Sequence, residues 1–293
     1  GHVLARTSIK TQEYKEIDEY IDALYTEAMK IIDSVGGLEL IRGIGAGTPN
    51  GNYYTGWIDG AMNLPWPRVP FAELMSKKFG VPCKLTNDAN AAAMGEMTYG
   101  VARGMKNFIM ITLGTGVGSG IVCDGKVVYG SDGFAGELGH VIVDHSPEGR
   151  SCGCGRKGCL ETYCSATGVA RTAREVMAKS TVESKLRDLD PEKITSYDVF
   201  CAAEQGDEVA KEIFERTGYT LGRACADFAA FNSPEAFVFF GGLTKAGHWI
   251  MDSIRRGYDE NVLFLYRNKA KLLVSALNGS EAAVLGASAL GWE

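Results

Sequence analysis

Three cysteines, Cys152, Cys154 and Cys159, crowd into eight residues, and His140 stands twelve residues ahead of the first. Thiolates with one imidazole are the ligand set of a closed tetrahedral zinc site, and three close cysteines let one loop, 140–159, wrap the ion. Glycines at 153, 155 and 158 allow the tight turns this needs. Four protein ligands fill the coordination shell, so such a zinc is structural rather than hydrolytic. The same loop formally contains Gly153-x-Gly155-x-x-Gly158. It follows no βαβ strand and its gaps hold cysteines, so a dinucleotide-binding reading is rejected.

Two carboxylates flank the loop: Glu137 in Gly136-Glu-Leu-Gly-His140, and Glu161 just after Cys159. With a metal on one nitrogen of His140, the other carries a fixed proton. A fixed donor beside two acceptors suits a polyhydroxylated ligand, whose hydroxyls both donate and accept. The plain alternative is two solvated surface charges. A third motif is Asn87-Asp88-Ala89-Asn90-Ala91-Ala92-Ala93, where a strand ends and a small-residue helix begins. Asp at a helix start is an ordinary N-cap. It also stands at the carboxyl end of a strand, where α/β sheets bind ligands, so Asp88 could act as general base while Asn87 orients substrate. A fourth is Leu113-Gly-Thr115-Gly116-Val-Gly-Ser-Gly120, whose N–H groups and Thr115 hydroxyl could cradle phosphate or simply turn a hairpin. It has no Walker lysine. Gly241-Gly242, between a strand and a helix, could let an adenosine lie against bare backbone.

These residues need elements to hold them. Ile17, Tyr20, Ile21, Leu24, Ala28, Ile31 and Ile32 have helical spacing over 11–35, closed by Gly36-Gly37. Strands are expected at 2–8, 38–46, 82–86, 107–113, 117–123, 126–129, 236–240 and 271–276, with Asp124-Gly125 as a hairpin turn. Helices are expected at 70–79, 88–100, 161–179, 196–204, 207–231, 247–261 and 280–290. An irregular stretch runs from Asn50-Gly51 to Asn63-Leu-Pro-Trp-Pro67, long enough to be functional. Strands alternating with helices mean an α/β protein with a mainly parallel sheet plus hairpins. The chain has 293 residues, enough for one large or two ordinary domains. Its 45% hydrophobic and 23% charged content excludes global disorder, and 37 glycines against 8 prolines suggest close backbone approaches. A net charge of −6 with no basic stripe disfavours nucleic acid. No apolar run approaches the ~20 residues that span a bilayer, and the opening residues resemble neither signal peptide nor lipidation site, so a cytoplasmic protein is expected. Of the remaining cysteines, Cys83, Cys123, Cys201 and Cys225 read as small buried side chains, and Cys164 is open to either reading.

Taken together, the His140/Cys152/Cys154/Cys159 pattern, Asn87-Asp88-Ala-Asn-Ala-Ala-Ala, Gly136-Glu-Leu-Gly-His140, Cys159-Leu-Glu161, Leu113-Gly-Thr-Gly-Val-Gly and Gly241-Gly242 resemble the ROK family of sugar kinases and repressors, from about residue 35 to the end. The resemblance implies a two-domain actin/Hsp70-like (ribonuclease H-like) fold, with 1–105 plus 280–293 as a small α/β domain and 106–279 as a large one carrying the zinc loop. It implies ATP-dependent phosphorylation of a hexose, glucose first, then N-acetylated amino sugars, mannose and fructose. Asp88 matches the catalytic base; Asn87, Glu137, His140 and Glu161 match sugar contacts; Thr115, Gly116, Gly241 and Gly242 match phosphate and adenosine contacts. ATP, Mg²⁺ and a structural Zn²⁺ are the implied cofactors, and a homo-oligomer, dimer or tetramer, the implied assembly. The family's alternatives are a sugar-sensing repressor with a helix-turn-helix ahead of this region, or a sugar-binding protein without catalysis. Such kinases open with a strand carrying Asp-x-Gly-Gly-Thr, which is not found here; the chain is expected to begin at the second strand of that hairpin, roughly 25 residues late.

Overall fold

The structure is a computed structural model and describes residues 3–60, 64–277 and 279–292. The chain divides into two units. Gly1–Gly104, Val127–Ala135 and Ala276–Glu293 form the first, and Met105–Lys126 with Gly136–Ser275 the second.

In the first unit, the helix expected from residue 11 begins later, as α1 (Ile17–Ser34), after a single 3-10 turn at Thr11–Glu13. Its apolar stripe enters a core with Trp66, Phe71, Met75, Phe79 and Leu85. Gly36 and Gly37 stop it with φ of 114° and 94°, values a side chain would resist. The strand expected at 38–46 is displaced. Leu38–Leu40 is a 3-10 turn, and β1 (Ile44–Thr48) starts where its N–H and C=O groups find a partner strand. The stretch after it carries only a two-residue pair, β2 (Ile58–Asp59) and β3 (Arg68–Val69); Ala61, Met62 and Asn63 lie outside the described residues. Then follow α2 (Phe71–Phe79), ended by Gly80 in the left-handed region, β4 (Cys83–Asn87) and α3 (Asp88–Tyr99). β1 and β4 run parallel, with Thr48 opposite Asn87. The chain's last helix, Gly279–Leu290, packs on this pair. A Cβ on Gly45 would stand 1.6 Å from the Ala287 carbonyl oxygen, and one on Gly286 would stand 1.6 Å from that of Ala91. The alanines of α3 are thus small because two backbones meet there.

The expected strand at 2–8 is not formed: Val3–Ser8 is irregular, and His2 lies outside the described residues. A strand exists only through a ladder, and among the described residues no strand forms one with this segment.

The second unit holds β5 (Phe108–Leu113), β6 (Val117–Cys123), β7 (Lys126–Val127), α4 (Glu161–Cys164), α5 (Ala166–Lys179), α6 (Ser196–Glu204), α7 (Glu208–Asn232), β8 (Ala236–Phe240), α8 (His248–Asn261) and β9 (Lys271–Val274). The sheet order is β7-β6-β5-β8-β9. β5 is antiparallel to β6 and parallel to β8, with Ile109 opposite Phe237 and Ile111 opposite Phe239. Continuous apolar runs on β5 and β8 mark strands covered on both faces. Asp124 and Gly125, both at positive φ, turn β6 into β7 as the Asp-Gly pair predicts. β7 stops at Val127, short of the expected Tyr129, because Tyr129 stacks on Tyr53 of the first unit at 4.0 Å. Asn52 Nδ2 donates to the Asp132 carbonyl at 2.6 Å and Tyr54 Oη to that of Gly130 at 2.8 Å, so segment 127–135 leaves its sequence neighbours. The helix expected over 161–179 is two: Ser165 is extended and caps α5, accepting from the Gly168 N–H. Among the described residues no helix is long and apolar enough to cross a membrane.

Candidate active site

Asn87 and Asp88 sit where β4 becomes α3. Asn87 is the N-cap, its Oδ1 accepting from Ala89 N–H at 2.7 Å; Asp88 Oδ1 accepts from the same donor at 2.8 Å. Asp88 is exposed and Asn87 half-buried, so a carboxylate faces solvent at the carboxyl end of a parallel strand.

The remaining candidates for sugar contact belong to the second unit. Val117 begins β6, and its carbonyl lies so close to Gly139 that a Cβ there would come within 1.9 Å of it. Ser119, buried on β6, donates to the Gly136 carbonyl and accepts from Leu138 N–H at 3.1 Å. These contacts shape the turn from Gly136 to His140 that carries Glu137. Glu161 opens α4. Its Oε1 is 3.8 Å from His140 Nδ1 and accepts from Cys152 Sγ at 3.1 Å; its Oε2 accepts from Val117 N–H at 3.4 Å. His140 and Glu161 are therefore brought together across 21 residues of chain by the metal loop.

His140, Cys152, Cys154 and Cys159 converge, with all four ligand atoms within 4.8 Å of one another. Cys154 and Cys159 sulfurs are 3.6 Å apart, and Cys152 Sγ is 3.7 Å from His140 Nδ1. Tetrahedral zinc with bonds of about 2.3 Å requires edges of roughly 3.8 Å, so the donor set fits that ion. Gly158, at φ 77°, passes so close to the Asp144 carbonyl that a Cβ would sit 1.9 Å away. Leu160 N–H then bonds the Val141 carbonyl at 2.9 Å, tying the loop's exit to its entry. Burial works against ionisation of Cys154, but the Arg156 backbone and side chain and the two neighbouring thiols outweigh it and bring its pKa down to about 6. Burial pushes Cys152 and Cys159 up. Thiolate character thus gathers on Cys154. Cys164 is buried outside the cluster and donates to the Thr217 carbonyl; of the other four cysteines only Cys225 is fully buried, whereas Cys83, Cys123 and Cys201 are half-buried.

Three residues that the sequence reading passed over anchor the loop. Tyr163 Oη donates to Asp144 Oδ2 at 2.6 Å and accepts from Arg150 N–H at 3.1 Å. That bond, with those from Ser146, brings the Asp144 carboxyl down to about 2. A tyrosine and an acid 19 residues apart carry no spacing signal.

Beyond the turns of the glycine motifs lies a cavity of about 460 Å³, lined by Thr115, Gly242, Leu243, Lys245 and the aromatic rings of Tyr197 and Phe200, among others. Gly116 and Gly241 stand beside it. A Cβ on Gly116 would lie 2.6 Å from Glu161 Oε2, and one on Gly241, at φ 110°, 2.4 Å from the Leu113 carbonyl oxygen. Tyr197, Phe200 and Lys245 belong to α6 and the turn after β8, where periodicity marks a helix and nothing marks a cavity wall.

The ROK family model matches residues 5–293. The chain belongs to the ROK family. It is 39% identical over 253 residues to a glucokinase of Halalkalibacterium halodurans, covering 85% of this chain and 75% of that protein. It is 28% identical over 251 residues to a xylose repressor of Caldicellulosiruptor bescii, covering 85% of this chain and 62% of that one. Among solved structures it resembles a ROK family glucokinase from Streptomyces griseus in complex with glucose and AMPPNP. The TM-score is 0.78 at 30% identity, over 94% of this chain and 88% of the other. The family expectation drawn from the motifs holds, as does the actin/Hsp70-like α/β fold class of the ROK sugar kinases.

Proposed function

We propose that this chain is an ATP-dependent hexose kinase that converts glucose to glucose 6-phosphate. Its 39% identity to a glucokinase carries the reading, with Asp88 exposed at the end of β4 as the group that makes it chemical. In the reaction Asp88 takes the proton of the sugar's 6-hydroxyl as that oxygen bonds the γ-phosphorus, and the bond to the β-phosphate oxygen breaks to release ADP. Asn87 orients the hydroxyl, while Glu137, His140 and Glu161 bind the others. Thr115 and Gly242 meet ATP in the 460 Å³ cavity, with Gly116 and Gly241 shaping its approach and the Tyr197 and Phe200 rings beside the base. Mg²⁺ enters with ATP. His140, Cys152, Cys154 and Cys159 would hold zinc, which when bound stiffens the loop that presents His140 and Glu161. The same reading makes the protein a cytoplasmic homo-oligomer.

A repressor of this family would need no base, and the repressor relative is the more distant of the two sequences compared. The test is ADP release by the full chain against a panel of hexoses, with MgATP. Glucose should show the highest kcat/KM; binding of glucose with no ADP formed from any hexose would leave a sensor or binding protein in its place.

A further inference from the structure

Glu161 stands on a turn that does not hold itself. It opens α4, a helix of only four residues. Fixing the backbone of a first turn costs more than its hydrogen bonding returns, so a helix this short takes its shape from outside contacts. Leu160 N–H bonds the Val141 carbonyl at 2.9 Å ahead of the turn, and the buried Cys164 at its end donates to the Thr217 carbonyl. The Thr162 carbonyl between them is the weak point. Ala166 N–H, which would donate to it if the helix continued, donates to the Gly114 carbonyl at 2.9 Å instead. A helix-end carbonyl that loses its backbone donor needs another.

Arg150 supplies it. Its Nη1 donates to the Thr162 carbonyl at 2.7 Å and to the Gly168 carbonyl at 3.3 Å. Its Nη2 donates to Thr172 Oγ1 at 2.9 Å and to Glu175 Oε2 at 2.7 Å, both on α5. The guanidinium lies 4.4 Å from the centroid of the Tyr163 ring, and the Tyr163 hydroxyl accepts from Arg150 N–H. The residue is 6% exposed. Its own backbone belongs to the cysteine loop: it stands two residues before Cys152, and its carbonyl accepts from Gly158 N–H at 2.8 Å. One side chain therefore joins the cysteine loop, α4 and α5. The carbonyl it grips on α4 belongs to the residue next to Glu161, whose carboxylate must point back at Cys152 Sγ and Val117 N–H. A lysine at 150 would keep the charge, but a single Nζ has no planar fork with which to hold Thr162 and Glu175 at once.

We propose, on the reading of Glu161 as a sugar contact, that Arg150 is a positioning residue for the hexose: it caps α4 from the cysteine loop and so aims the Glu161 carboxylate. The test is a double-mutant cycle on the full chain, with glucose affinity measured by calorimetry for Arg150→Lys, Glu161→Gln and the two combined. Glu161→Gln alone should weaken glucose ~10-fold or more, as loss of a charge-assisted hydrogen bond predicts. Arg150→Lys alone should weaken it ~10-fold, and the KM for glucose should rise with it while kcat stays within about twofold, the mark of binding lost equally from ground and transition states. Added to Glu161→Gln, however, Arg150→Lys should cost no more than about twofold, because no carboxylate is left to aim. Zinc content by elemental analysis should be the same in Arg150→Lys as in the parent. If thermal unfolding shows that Arg150→Lys does not fold, Thr172→Val takes its place in the cycle: it frees one Nη2 bond at nearly constant size, and should weaken glucose ~3-fold with the same dependence on Glu161. Glucose affinity that ignores the change at 150 or 172, losses that multiply in the double variant, or a loss that follows zinc overturns the role of Arg150 and leaves the kinase reading in place. Unchanged glucose affinity in Glu161→Gln overturns the sugar-contact assignment itself, and this role with it.

Discussion

Replacing Asp88 by asparagine separates two jobs that its position allows. As a cap, Asp88 accepts from Ala89 N–H at 2.8 Å, but Asn87 accepts from the same N–H at 2.7 Å. The donor therefore keeps a partner whichever of the two is lost, and asparagine at 88 retains an Oδ1 in any case. What disappears is the charge at the helix N-terminus, worth ~0.3–1 kcal/mol at an exposed site. At about 4 °C per kcal/mol for a unit of this size, the melting temperature should fall by no more than about 4 °C. As a base, Asp88 contributes ~10²–10⁴ in rate, or about 3–5 kcal/mol of barrier. Asp88→Asn should then lose at least ~100-fold in kcat in an ADP-coupled assay, with glucose affinity by calorimetry and the unfolding transition nearly unmoved. Asn87→Ala should likewise cost little stability, because Asp88 still accepts from Ala89 N–H, and should weaken glucose binding as the residue that orients the hydroxyl is lost. Retained turnover in Asp88→Asn would refute the assignment. So would a collapse of stability that accounts for the lost activity.

Parent protein should retain zinc through dialysis, measured by elemental analysis, and Cys154→Ser should lose it and weaken glucose binding as well, because one loop carries both sets of residues. Tyr163→Phe removes the main cause of Asp144's low pKa, so the carboxyl should titrate nearer its ordinary 3.8 in an NMR pH series. The sign follows from the direction: the stability linked to this depressed carboxyl is present above pH 3.8 and lost as pH falls through that value towards 2, so the variant should be less acid-sensitive there. Gly286→Ala places a methyl 1.6 Å from the Ala91 carbonyl oxygen, and should cost ~1–3 kcal/mol or more in denaturant unfolding through strain at the α3 contact.

The sequence alone carried the chemistry that depends on local spacing. Three thiols in eight residues can reach one ion wherever the loop lies, and His140, though distant by count, converges with them. Asp-Gly at 124–125 dictates its own turn, and the apolar runs at 108–113 and 236–240 identify doubly covered strands. Ser165 was a harder case: its hydroxyl stops one helix and starts the next inside a pattern that reads as continuous. What only the tertiary structure decided were relations between residues with no periodicity to announce them. Val3–Ser8 has a strand's composition but no ladder, since strand identity resides in a partner. Tyr129 to Asp132 pack with Asn52, Tyr53 and Tyr54 rather than continuing β7. The Ser119, Arg150 and Tyr163 supports of the cysteine loop and the aromatic wall of the 460 Å³ cavity arise from groups meeting across stretches of chain that carry no periodic signal. Local pattern reports what a residue does to its own backbone; burial, pairing and a missing partner exist only once distant backbones have met.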